Sequence, residues 1–130
     1  MTLSKLAILR LYAAGLGLFT LFWWPLSHWF FPDWYHDLMG FESYDLAFVR
    51  LIGTMGLLPV GCLFWLAYRP REAYGFLVVF VVWSLLLAAT FAFLILFSGF
   101  PQAEFGNVAL LVMNAAILGF LAPSVPRKRR

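Results

Sequence analysis

The sequence is poor in charge and in cysteine. Charged residues make up only 12% of its 130 residues, about half of the quarter that is usual in soluble proteins. Hydrophobic residues make up 64% and aromatic residues 20%, which excludes an ordinary soluble domain. The single cysteine, Cys62, excludes an intrachain disulfide. The composition predicts one domain that lies mostly in hydrocarbon.

Motifs of catalysis are also missing. The sequence has no Walker loop, dinucleotide glycine fingerprint, CxxC, HExxH or nucleophile elbow. We therefore expect no enzyme, no catalytic residue, no metal, no resident cofactor and no nucleic-acid partner. The alternative is that the protein binds a quinone or a lipid, because such a site needs only an apolar slot and one or two hydrogen-bond donors.

Four long apolar runs dominate the chain. Each has about 20 residues, the length that crosses a bilayer core of about 30 Å as a helix. The runs do not alternate between apolar and polar residues, which excludes barrel strands. The fold class predicted is an all-α integral membrane four-helix bundle, one transmembrane domain over residues 1–130. Its spans are residues 6–24, 47–68, 74–97 and 105–122.

Pro59 lies inside the second span and removes the hydrogen bond to the carbonyl of Met55, so we expect that helix to bend. Gly53, Gly56 and Gly61 give the same helix small side chains and predict close approach by a neighbouring helix. Asn107 and Asn114 are the strongly polar side chains of the fourth span.

The charges predict an orientation. Eight of the nine basic residues fall at the chain start, between spans two and three, and at the chain end: Lys5, Arg10, Arg69, Arg71, Arg127, Lys128, Arg129 and Arg130. Five of the six acidic residues fall in the other connections: Asp33, Asp37, Glu42, Asp45 and Glu104. The positive-inside rule then predicts a bacterial inner-membrane protein with both termini in the cytoplasm.

The first span resembles a signal peptide only superficially, because it is long and is followed by the bulky "WWPL". We expect it to stay in the mature protein. Arg10 lies about one turn inside this span and is expected to reach lipid headgroups, as is the basic tail of Arg127, Lys128, Arg129 and Arg130.

An aromatic segment, "WWPLSHWFFPDWYHD", follows the first span. Pro25 is expected to end or kink the first helix, and Pro32 to begin a short interfacial helix, within an interfacial segment over residues 25–45. Indole and phenol rings favour the membrane–water boundary. We interpret the segment as an aromatic shelf made of Trp23, Trp24, Trp29, Trp34 and Tyr35.

A ligand pocket, a partner surface and a metal site are the alternatives for this segment. His28 and His36 are eight residues apart with Pro32 between them, so no single helical face is expected to bring their rings together. The sequence leaves the role of the two histidines open.

Arg50 lies three residues into the second span, on the acidic side. An ion pair with Asp45 or Glu42 would pin the loop to the bundle, because a charge in a span must pair or reach water. The alternative is that Arg50 anchors an anionic or carbonyl ligand.

Several short motifs resemble those of the DoxX-like group of small four-helix membrane proteins and its BphX-like relatives. They are Arg10 to Gly15 in the first span, "RLIG" from Arg50, and the "YRPRE" turn. Some DoxX-type proteins are small subunits of quinone-linked oxidoreductases, so the resemblance implies association with electron-transfer complexes, and it transfers no catalytic residues. We expect an accessory subunit that packs beside larger membrane proteins. The alternative is a quinone- or lipid-binding subunit of an oxidoreductase.

Overall fold

The computed structural model describes residues 4–123, and within them five helices and no strand. The helices are α1 (Lys5–Phe30), α2 (Pro32–Met39), α3 (Leu46–Tyr68), α4 (Tyr74–Phe97) and α5 (Phe105–Leu121). A 3-10 turn, Gln102–Glu104, leads into α5. Helices α1, α3 and α4, and α5 together with its 3-10 turn, are long and apolar enough to span a membrane. The predicted all-α four-helix bundle is confirmed. The predicted headgroup contacts of Arg127, Lys128, Arg129 and Arg130 lie outside the described residues.

The four long helices pack as two neighbouring pairs, α1 with α3 and α4 with α5. Their shared core lies near the end of the bundle where Arg69 and Arg71 connect α3 to α4, which we call the basic end. This core consists of Leu9, Ala13, Leu63, Leu66, Ala73, Leu77, Leu118 and Leu121. The opposite end, which carries α2, is the acidic end.

Helix α1 continues six residues beyond its predicted end at residue 24. The chain forms a π-helical turn over Phe22–Leu26 and stays helical to Phe30. A π turn tolerates Pro25 because the bonding register shifts where the proline lacks an N–H. The Ser27 hydroxyl lies 2.6 Å from the carbonyl oxygen of Trp23 and 3.1 Å from that of Trp24. Part of the predicted interfacial segment is therefore helix α1.

Helix α3 loses its regular α-helical pattern at Gly56, three residues before Pro59. The break falls next to Met55, whose carbonyl Pro59 cannot bond. Gly53 and Gly56 face the π-helical end of α1. A Cβ on Gly53 would lie 2.8 Å from the Cβ of His28, and one on Gly56 would lie 2.9 Å from the Trp24 ring. These two glycines therefore permit the close contact that the sequence predicts. At Gly61 the prediction is wrong, because a Cβ there would meet nothing within 4 Å.

Helix α2 confirms the short helix predicted from Pro32. Pro32 occupies its first turn, and Gly40 ends it in the left-handed conformation at φ 81°. Tyr35, His36 and Met39 form its buried face. Phe31, with φ −134° and ψ 47°, turns the chain between α1 and α2. The turn lays α2 back against the bundle.

Candidate functional site

A buried polar cluster occupies the acidic end where α1, α2 and α5 meet. It consists of Trp23, Ser27, His28, Tyr35, His36, Glu104 and Asn107, and we call it the acidic-end cluster. Glu104 is only 1% exposed and Tyr35 only 6%. A carboxyl group at that degree of burial requires hydrogen-bond partners.

Glu104 has those partners on both carboxyl oxygens. The amide nitrogen of Asn107 donates to Oε2 at 2.6 Å, and the Tyr35 hydroxyl donates to Oε1 at 3.3 Å. The same amide donates to the Tyr35 oxygen at 3.0 Å. The Asn107 carbonyl accepts from the Trp23 indole at 2.9 Å. These bonds tie α1, α2 and α5 together.

Tyr35 is held neutral by this environment. Burial is the main cause and the neighbouring Glu104 charge the second, and together they raise the pKa of Tyr35 well above its ordinary value near 10. Its ring also contacts the Trp23 ring edge-on, with the centroids 5.7 Å apart. The phenol acts as a hydrogen-bonding link inside the cluster.

The two histidine rings lie side by side, contrary to the expectation that Pro32 separates them. Their centroids are 5.9 Å apart, and His28 lies 4.5 Å from the Tyr35 ring. The turn at Phe31 brings them together by folding α2 back onto α1. His28 Nδ1 lies 3.0 Å from the Ser27 hydroxyl, and His36 Nδ1 lies 2.7 Å from the carbonyl oxygen of Pro32. Residues 4–123 contain no group of three metal-ligating side chains placed to hold an ion.

The predicted aromatic shelf divides into two layers. Trp29 and Trp34 are exposed. Trp23 and Trp24 are half-buried, and Trp24 stacks on Trp83 of α4 with the ring centroids 5.8 Å apart. Tyr35 lies beneath them in the acidic-end cluster. Only the exposed pair has the position of a surface shelf.

The predicted ion pair of Arg50 with Asp45 or Glu42 does not form. The Asp45 carboxylate instead caps α3, accepting from the Phe48 backbone at 3.0 Å. Arg50 follows Asp45 by five positions, an offset that corresponds to a rotation of about 140° around a helix. The Arg50 guanidinium lies over the Trp29 ring, 5.6 Å from its centroid. Glu42 is exposed in the loop before α3.

A second polar site lies in an open groove between α1 and α5. The groove encloses about 400 Å³ and is lined by Tyr12, Gly15, Leu16, Leu110, Met113 and Asn114, among others. The Tyr12 hydroxyl donates to the Asn114 carbonyl oxygen. The Asn114 amide nitrogen has no hydrogen bond to any of residues 4–123. A Cβ on Gly15 would meet nothing within 4 Å, so this side of α1 is open.

The unpaired amide of Asn114 lies deep within its span. At 1.5 Å per residue, Asn114 lies about 14 Å from the start of α5 and about 11 Å from its end. Those distances place it near the middle of a hydrocarbon core of about 30 Å. An unpaired N–H group at that depth costs several kcal/mol, so it favours any partner that brings an acceptor.

The two polar sites differ in what they can bind. In the acidic-end cluster, hydrogen bonds join Trp23, Tyr35, Glu104 and Asn107 to one another, so these groups hold helices together. The groove retains an open donor beside empty volume, so it is the candidate binding site. The sequence points to the cluster only through the spacing of Glu104 and Asn107, three residues apart on one helical face. It gives no sign that Tyr12 meets Asn114 across 102 residues.

This architecture is that of a small α-helical membrane protein. No protein family, curated protein or solved structure matches the chain.

Proposed function

We propose that this protein is a non-catalytic accessory subunit of the bacterial inner membrane. It packs through the α1/α5 groove against a transmembrane helix of a larger membrane protein. The free Asn114 amide at mid-membrane depth is the observation that carries the proposal. The partner helix presents a hydrogen-bond acceptor, such as a serine, threonine, asparagine or glutamine side chain, at the same depth.

The depth of the donor selects this class of occupant. Phospholipid acyl chains contain no acceptor, and lipid ester carbonyls lie at the interface, more than 10 Å away along the bilayer normal. A polar side chain on another helix reaches mid-membrane because its own helix carries it there. Gly15 adds room for that helix, since small residues let backbones approach closely.

A quinone is the second candidate occupant. Its carbonyl oxygen is a suitable acceptor for the Asn114 amide, and the volume of about 400 Å³ lies within the usual range for small-molecule sites. The resemblance to the DoxX-like group favours the same ligand class. A bound quinone would place the protein beside electron-transfer complexes.

The orientation of the proposed subunit follows from its charges. Lys5, Arg10, Arg69 and Arg71 lie at the basic end, and this end faces the cytoplasm by the positive-inside rule. The acidic end, with its exposed Trp29 and Trp34, faces the opposite side.

Site-specific photo-crosslinking in native membranes tests the occupant. A photoreactive phenylalanine analogue replaces Met113 in the groove, and in the control it replaces Leu86, an exposed residue near the middle of α4. We expect position 113 to crosslink to one discrete protein in near-stoichiometric yield, and position 86 to lipid. The Asn114→Leu variant should lose the protein crosslink.

The other results are equally informative. Crosslinking of position 113 to lipid alone would overturn the proposal. A quinone-sized adduct that disappears in Asn114→Leu would replace it with the second candidate. A protein adduct that persists in Asn114→Leu would show that the amide does not select the partner.

A further inference from the structure

A recess at the basic end carries three arginines and forms no part of the α1/α5 groove. It lies between the start of α1 and the turn from α3 to α4, and it encloses about 320 Å³. Arg10 comes from α1, and Arg69 and Arg71 come from the turn; Tyr68 and Glu72 also line it. Residues far apart in the sequence thus face one space.

The charges in this recess do not balance. Arg69 forms an ion pair with Glu72, its guanidinium nitrogen 3.1 Å and 3.2 Å from the two carboxylate oxygens. That hydrogen bonding raises the pKa of Arg69 above its ordinary value. Among residues 4–123, neither Arg10 nor Arg71 lies within ion-pair distance of a carboxylate. The walls therefore keep two uncompensated positive charges.

We propose that the recess binds the phosphate group of an anionic phospholipid. Arg10 and Arg71 contact the phosphate oxygens, because guanidinium groups form strong charge-assisted hydrogen bonds with phosphate. The pair formed by Arg69 and Glu72 borders the site.

The depth of Arg10 favours a lipid over a soluble anion. Arg10 is the sixth residue of α1, which places it about 8 Å in from the start of the helix. A phospholipid phosphate already lies at the boundary between water and hydrocarbon, and its acyl chains extend past Arg10 toward the middle of the bilayer. A soluble anion would have to leave water to reach the same place.

Native mass spectrometry of the full protein in mild detergent tests the site. The probes are phosphatidylglycerol, phosphatidylcholine and inorganic phosphate, and the variants are Arg10→Gln, Arg71→Gln and the two combined. Arg50→Gln, which removes the same charge at the other end, is the matched control. We expect saturable phosphatidylglycerol binding that weakens about fivefold with each substitution and about 25-fold with both. Arg50→Gln and phosphatidylcholine should show no corresponding effect.

Each other outcome has a definite reading. Equal losses in Arg50→Gln and in Arg10→Gln would mean that net charge alone attracts the lipid, which overturns the proposal. Competition by millimolar inorganic phosphate that abolishes lipid binding would assign the site to a soluble anion and overturn the lipid source. Arg71 is exposed in a turn, so its substitution tests binding without threatening the fold.

Discussion

Asn107 and Glu104 lie one helical turn apart, and the amide nitrogen of Asn107 donates to Glu104 Oε2 at 2.6 Å. The same nitrogen donates to the Tyr35 hydroxyl of α2, and the Asn107 side-chain oxygen accepts from the Trp23 indole of α1. One side chain therefore connects three helices at the acidic end. The order of α2 depends on this contact, since α2 has only eight residues and is too short to be stable alone.

Replacing Asn107 with Leu should destabilise the protein. The change leaves the Trp23 indole and the Glu104 carboxyl without that partner, and a buried polar group left unpaired costs about 1–3 kcal/mol. Chemical unfolding in detergent micelles, followed by tryptophan fluorescence, measures the loss. Gln102→Leu, an exposed change in the preceding turn, should alter the unfolding free energy by less than about 0.5 kcal/mol. Equal effects in the two variants would contradict the role assigned to Asn107.

Replacing Gly53 with Ala should separate α1 from α3. The added methyl would lie 2.8 Å from the Cβ of His28, so a helix must shift, and overpacking of this kind costs about 1–3 kcal/mol. Gly61→Ala on the same helix is the matched control, because its Cβ would meet nothing within 4 Å. Thermal unfolding in the same detergent should show a lower midpoint for Gly53→Ala only. A lower midpoint in both variants would point to a cause other than this contact.

The stability of the protein should fall at alkaline pH because of Tyr35. Its pKa is raised in the folded protein by burial and by Glu104. Above about pH 10 the unfolded chain loses the phenolic proton while the folded protein keeps it. Ionisation then stabilises the unfolded chain alone, so the free energy of unfolding falls as the pH rises. The contribution is fully present below pH 10 and is lost as the pH rises toward the folded-state pKa.

The measurement for Tyr35 is the slope of unfolding free energy against pH between about 9 and 11. Tyr35→Phe should give a shallower decline than the unaltered protein, even though it is less stable overall. Trp29→Phe, an exposed aromatic change that neither adds nor removes a titrating group, should keep the original slope. Identical slopes in all three proteins would show that Tyr35 does not titrate with unfolding.

The sequence predicts the four spans well because their signal is local. Residues 74–97 are uncharged and almost entirely apolar, and α4 has those same bounds. The end of α1 was less predictable, because Pro25 normally ends a helix and only the neighbouring Ser27 and the π turn accommodate it here. The polar sites depend on contacts between distant segments. Hydropathy depends on the residue types within one segment. It therefore does not predict which side chain of another helix forms a hydrogen bond with Asn114.

The pairing of Arg50 shows the same limit. Opposite charges close together in the sequence suggest an ion pair, but Asp45 is the N-cap of α3, and its carboxylate accepts a hydrogen bond from the Phe48 backbone N–H at 3.0 Å. A helix turns by about 100° per residue, so Asp45 and Arg50 face different directions. Asp45 reaches the Phe48 backbone N–H from its own position at the start of α3, so this local hydrogen bond replaces the expected ion pair.

This arrangement predicts that Asp45 and Arg50 act independently. Asp45→Ala should lower the unfolding free energy by about 0.5–2 kcal/mol through loss of the helix cap. Arg50→Ala should remove only the contact with the exposed Trp29 ring, about 0.5–1 kcal/mol. The double variant should then equal the sum of the two within about 0.5 kcal/mol, since residues with no direct contact give additive effects. A coupling energy above about 1 kcal/mol in this double-mutant cycle would show that Asp45 and Arg50 do form an ion pair. The Arg50 side chain, and not the helix cap, would then hold the loop to the bundle.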